Sequence, residues 1–271
     1  MAKRNQRHLH LCRESAGVLP LGSQFAISID GAVLESPLGN VLITPSRLVA
    51  DRVVGEWCRQ IGKLTRFETL PATLLLAETV DFHPQQRDTV VGSLVDALDF
   101  DTALRFDMQP PVTLPPLEGL SALDRTSLAH IVKLDLDVLQ SSYIAPILHG
   151  FAARRGTSAL ITAGDVASRL RQPVDVVTAV RVALSASSVA DLVAICKMHK
   201  CLRSVVLPLE LCDGAIDAAR AIRASRLEET LQAASWGVSS EFRENETSML
   251  QQIIEALEFR RAYGDPAHLT S

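Results

Sequence analysis

Aromatic side chains are scarce: Phe, Trp and Tyr make up 4% of the 271 residues. Proteins that grip single-stranded nucleic acid stack bases on such rings, so that class is largely excluded. An excess of positive charge is missing as well. The chain has 27 Lys and Arg against 31 Asp and Glu, a net charge of −4, whereas duplex-binding surfaces are built on cations. Nucleic acid is therefore not expected as a direct ligand. The five cysteines (Cys12, Cys58, Cys196, Cys201 and Cys212) are odd in number and irregularly spaced, which excludes the disulfide framework of a small secreted protein and points to a reducing compartment. Long hydrophobic runs are absent too. The most apolar stretches, 70–80 and 205–211, are broken by Pro, Glu or Arg well before the roughly 18 residues of a membrane span, so no span is expected. Phosphate-binding glycine loops and a G-x-S-x-G nucleophile turn are missing, and none of the seven histidines sits in a catalytic pattern. The chain is expected not to be an enzyme and to need no cofactor.

What remains is an aliphatic composition. Hydrophobic residues are 47% and charged residues 21% of the chain, enough to bury two cores and too little charge for general disorder. The best metal candidate is Cys196, His199 and Cys201, with Cys212 downstream. On a continuous helix Cys201 turns away from the face that Cys196 and His199 share, and structural zinc needs four tetrahedral ligands. No metal is expected there.

Along the chain, residues 1–22 form a basic tail. Lys3, Arg4, Arg7 and Arg13 precede the first acid, Glu14, which fits either a mitochondrial targeting segment or a solvated tail. Residues 23–107 are expected as a domain containing an antiparallel sheet. Phe25, Ile27 and Ile29 alternate with small or polar residues, and Asp30-Gly31 is a two-residue hairpin signal. A helix follows, capped by Thr44 or Ser46, with Val49, Val53, Trp57 and Ile61 on one face and Gly62 at its end. Residues 63–82 fit a strand or a helix. Another helix is expected from Pro84, with Val90, Val91, Leu94, Val95 and Leu98 as its apolar stripe. Prolines 110, 111, 115 and 116 mark a linker at 108–122. Beyond it a helical domain is expected at 123–271, with helices at 123–139, 143–155, 164–171, 173–184, 187–202, 214–236 and 247–262. The fold class is α+β.

These pieces, in this order, resemble one family: the chaperones that hold the α subunit of the mitochondrial F-type ATP synthase before its catalytic head is built. The resemblance is carried by Phe25-Ala-Ile-Ser-Ile-Asp30, by Thr44-Pro45-Ser46 with Glu56-Trp57, by Leu70-Pro71 with Thr73-Leu74, and by Asp99 with Asp101-Thr102. It continues through Pro146-Ile147, Leu202-Arg203-Ser204 and the string Ser225-Arg226-Leu227-Glu228-Glu229 with Gln232 and Trp236-Gly237. The chain departs from the family where Ile144 and Ala145 precede Pro146 and where Ser240, Arg243 and Glu244 follow the tryptophan. It is similar to a divergent member. The resemblance implies an ATP-independent chaperone of the mitochondrial matrix that shields the α subunit; Glu228, Glu229, Arg226 and Gln232 would touch the partner, and Trp57 and Trp236 would be structural anchors. The departures also fit a chaperone-derived subunit fixed among neighbouring subunits of a large mitochondrial complex, such as a ribosome or respiratory assembly.

Overall fold

The computed structural model describes residues 9–11, 15–110, 112–114, 135–165, 169–236 and 239–264. They form an α+β architecture with a small antiparallel sheet toward the N-terminus and helices through most of the remainder. The chain divides into two compact units that do not follow chain order. One gathers the described residues up to Gln86, Ser187–Ala194 and those from Glu255 on; the other gathers those of Arg87–Ala186 and Ile195–Ile254.

In the first unit, β1 (Leu9–Leu11) pairs with β6 (Leu64–Arg66), and β2 (Ala16–Leu21), β3 (Gln24–Ile29), β4 (Ala32–Val33) and β5 (Ile43–Thr44) make a second sheet around β3. The Asp30-Gly31 hairpin forms as its sequence implies. Both residues take positive φ, 51° and 80°, the turn whose twist matches the flanking strands. Asp30 also accepts the Ser15 N–H at 3.0 Å. β1 and β2 fall within the stretch expected as a tail. β2 pairs with β3 from Ala16↔Ile29 to Leu21↔Gln24. Its backbone polarity follows from two bonds: Asp30 N–H donates to Ser15, and Leu34 N–H donates to Ile27. Residues 15, 17, 19 and 21 therefore face β3, and Ala16, Val18 and Pro20 face the outer edge. Pro20 has no N–H to offer there, which blunts the edge against a further strand.

The helix α1 (Arg47–Cys58) is capped by Ser46, whose hydroxyl accepts the Val49 N–H. Val49, Val53 and Trp57 are fully buried along one face. The helix stops before Ile61, which is exposed, and Gly62 turns the chain at positive φ. The stretch left open at 63–82 contains the helix α2 (Pro71–Val80). Its own N-cap, Leu70, supplies no side-chain acceptor. Glu56 of α1 does so instead, accepting the Ala72 and Thr73 N–H groups at 2.8 Å and the Thr73 hydroxyl at 2.7 Å. Burial pushes the Glu56 carboxyl above its ordinary range, against the pull of these donors. The far end of the chain returns to this unit, where Arg52 pairs with Glu255 and Glu258, and Arg260 with Asp191 at 2.6 Å.

The second unit opens with α3 (Arg87–Ala97), which packs on α6 (Val174–Ala186). Between them in sequence are α4 (Leu136–Tyr143) and α5 (Ala145–Arg155). After α6 come α7 (Val189–Leu202), α8 (Val206–Cys212), α9 (Ala218–Ser225), α10 (Leu227–Trp236) and α11 (Ser240–Gly264); α7 and α11 contribute residues to both units. The helix expected at 123–139 is described only from Leu136, and most of the expected linker at 108–122 lies outside the described residues. Two expectations are corrected. Residues 164–165 and 169–171 are not helical, because their polar groups are engaged elsewhere. The Gly164 N–H donates to Asp107, and the Leu170 N–H donates to the Asp99 carbonyl at 3.0 Å. The expected helix at 214–236 is two helices, broken at Arg226 with φ −128° and ψ 33°.

Candidate functional site

The second unit carries an open cleft of about 950 Å³, lined among others by Phe100, Lys200, Arg203, Glu228, Glu229 and Met249. Its α10 side is set by packing. Leu227 is buried against Leu139 and Tyr143 of α4, with Leu114 and Leu231 at the margin of the cluster, and this turns the opposite face of α10 outward. Glu228, Glu229 and Gln232 are exposed there. Gln232 donates to the Glu228 carboxylate at 3.2 Å. Arg226, at the break between α9 and α10, stacks its guanidinium 4.8 Å over the Phe242 ring of α11 and reaches to 3.9 Å from Glu229. The four residues expected at a partner surface are thus neighbours, three of them exposed and one partly covered. Two acids in the first turn of a helix also complement its dipole.

Lys200 and Arg203 come from the end of α7, and their backbone is held from below. Asp101, 1% exposed, accepts hydrogen bonds from the Ser204 hydroxyl at 3.0 Å, from the Val205 and Val206 N–H groups at 2.6 and 3.1 Å, and from Ala103 N–H at 2.9 Å. Burial raises its carboxyl above the ordinary range, and the four donors act in the opposite sense. Beside it, the Thr102 N–H and hydroxyl both donate to the Arg203 carbonyl. Arg203 itself has φ +52°, a left-handed conformation that suits glycine better than arginine. Sequence reasoning did not select Phe100, Lys200 or Arg203 as contact residues. It did single out the strings around Asp101 and Arg203, and these two strings bond to each other across about a hundred positions.

The remaining sequence candidates lie elsewhere. Trp57 is fully buried in the first unit. Trp236 closes α10, and its side chain lies outside the described residues. His199 Nδ1 is 3.0 Å from the Ser204 carbonyl oxygen and Cys201 Sγ is 3.7 Å from the Gln252 carboxamide. Among the described residues no three His, Cys, Asp or Glu side chains converge as a metal site would require, and no helix is long and apolar enough to cross a membrane.

Two solved structures share the fold. Atp12 from Paracoccus denitrificans superposes with a TM-score of 0.69 at 21% identity, over 93% of this chain and 97% of that one. A chaperone candidate from Agrobacterium tumefaciens gives 0.70 at 22% identity, over 92% and 84%. The profile of the family described as ATP12 chaperone protein matches residues 10–149. That match ends before Lys200, Arg203 and the α10 carboxylates. It nevertheless spans more than half of the sequence, and the chain belongs to the ATP12 family of ATP synthase assembly chaperones.

Proposed function

We propose that this chain binds the α subunit of the F-type ATP synthase in the mitochondrial matrix and shields its aggregation-prone surface until the native neighbours compete for it. The observation that carries this reading is the exposed Glu228 and Glu229 pair on the rim of an open cleft with apolar as well as charged lining. Such a surface covers a client reversibly, because release follows from relative binding free energies and needs no chemical step. No catalysis, cofactor or ATP takes part. Arg226 and Gln232 hold the two carboxylates in place, and Trp57 and Trp236 anchor the scaffold.

Charge reversal of both acids tests the reading. Glu228→Lys with Glu229→Lys changes exposed groups only, and loss of their helix-dipole interaction should lower stability by about 1–2 kcal/mol without unfolding the chain. Capture of purified α subunit should fall by on the order of tenfold or more. Unchanged capture would refute the contact role. Affinity capture of the wild-type chain from mitochondria separates the fixed-subunit reading, which requires stoichiometric recovery in one large particle in place of substoichiometric α subunit.

A further inference from the structure

The cleft that carries the two carboxylates is also lined by two exposed cations, Lys200 and Arg203. Other charged groups of the lining are already engaged. Arg105 donates to the Asp99 and Asp165 carbonyls at 2.6 and 2.9 Å, and Arg226 spans Glu229 and Phe242. Asp107 accepts the Gly164 N–H, and Asp137 accepts the Asp107 N–H. Among the described residues no carboxylate lies within salt-bridge distance of Lys200 or Arg203. Lys200 falls in the last turn of α7, where the helix dipole alone accounts for a cation. Arg203 has no such account. It sits just past the helix at positive φ, where glycine is the common residue and arginine is disfavoured. An exposed arginine at that position gives the fold nothing that glycine would not, so its guanidinium is the part to be explained. The same cleft presents Phe100, 58% exposed, and the flexible thioether of Met249. A ring and a thioether beside charges of both signs fit a polypeptide segment better than a small ion.

We propose that the cleft recognises a two-signed amphipathic segment of its client: an acidic side chain docks on Lys200 and Arg203, a basic one meets Glu228 and Glu229, and Phe100 and Met249 receive its apolar residues. The proposal rests on the reading that this cleft is the client site. It gives the cleft a polarity, because a segment entering in reverse would set like charges against each other at both contacts, and such juxtapositions are the costly ones.

The test uses the full chain and two synthetic amphipathic peptides with the same leucines, one carrying glutamates in one half only and the other lysines in one half only, with a serine-substituted peptide as control; binding is read by fluorescence anisotropy. The wild-type chain should bind both charged peptides better than the control. Lys200→Glu with Arg203→Glu should weaken the glutamate peptide by on the order of tenfold and spare the lysine peptide, and Glu228→Lys with Glu229→Lys should do the reverse. Arg203→Gly guards against misfolding, since glycine suits the left-handed backbone. It should melt no lower than wild type while weakening the glutamate peptide several-fold. The proposal is overturned if the glutamate peptide binds no better than the control, or if neither variant at Arg203 weakens it. A positive peptide pattern without capture of α subunit would overturn the proposed client and leave the cleft's polarity standing. Capture that depends on the Glu pair, with a flat response at Lys200 and Arg203, would overturn the polarity alone.

Discussion

Replacing Asp101 by Asn probes the platform beneath the cleft with almost no change in volume. The carboxylate divides its work unequally: one oxygen takes Ser204 Oγ, Val205 N and Val206 N, and the other takes Ala103 N. An asparagine can turn its single carbonyl toward the three-donor side, but its NH2 then confronts the Ala103 N–H. One buried bond is lost, and three bonds to a charged acceptor become bonds to a neutral one. Gross losses of about 1–3 kcal/mol for the stranded donor and ~0.5 kcal/mol or more for each weakened bond are partly offset because no charge need be buried. A net cost of about 2–3 kcal/mol follows, or roughly 4–6 °C in melting temperature for a chain of this size. Circular dichroism melts of wild type and Asp101→Asn over a pH series provide the assay. Burial raises the Asp101 carboxyl, so between its ordinary and its raised value the folded chain binds more proton than the unfolded chain. Its contribution to stability is complete below the ordinary carboxylate range and fades as pH rises through the raised value. The gap between wild type and variant should therefore narrow as pH rises above the ordinary carboxylate range. Equal melting at all pH values would refute the reasoning, and a gap that widens as pH rises would mean that the four donors outweigh burial.

In the first unit, Glu56→Ala strands the Ala72 and Thr73 N–H groups and the Thr73 hydroxyl at the start of α2, and urea denaturation should show a loss of about 2–4 kcal/mol. Leu227→Ala empties the cluster with Leu139 and Tyr143 and should cost about 2–4 kcal/mol; a loss below ~1 kcal/mol would mean that α10 is held by something else. Pro20→Val restores an N–H on the outer edge of β2, and light scattering should then report concentration-dependent association, which a persistently monodisperse sample would contradict.

The parts of the fold that were legible in the sequence are those where a local rule and the tertiary environment agree. Asp30-Gly31 offers two residues that tolerate positive φ between alternating hydrophobics, and the hairpin forms there. Val49, Val53 and Trp57 repeat at helical spacing and share a buried face. Where burial is not one-sided the period disappears. In α2, Ala72, Thr73, Leu75, Leu76, Ala77 and Thr79 are all buried, so no polar stripe distinguishes helix from strand. The apolar run at 205–211 concealed α8 for the same reason. Residues 164–165 and 169–171 failed in another way, since their helical spacing carries no information about the bonds that Gly164 and Leu170 make to Asp107 and Asp99. The site was legible only in pieces. Glu228 and Glu229 stood out as a charged string, whereas Phe100 and Arg203 acquire meaning only once the chain has brought position 102 to position 203.

The order in which residues leave the ribosome sets a condition on the first unit. Arg52 finds its acidic partners 203 and 206 positions later, and Asp191 waits for Arg260, 69 positions on. The early sheet and α1 can form from local contacts, but these pairs close only after nearly the whole chain has been synthesised, and non-local closure of this kind is slow. A nascent chain halted before Glu255 would carry its first strands without the helix end that Arg52 pairs with. An assembly chaperone thus passes through an unfinished stage of its own, and C-terminal truncation should be felt first at Arg52, near its beginning.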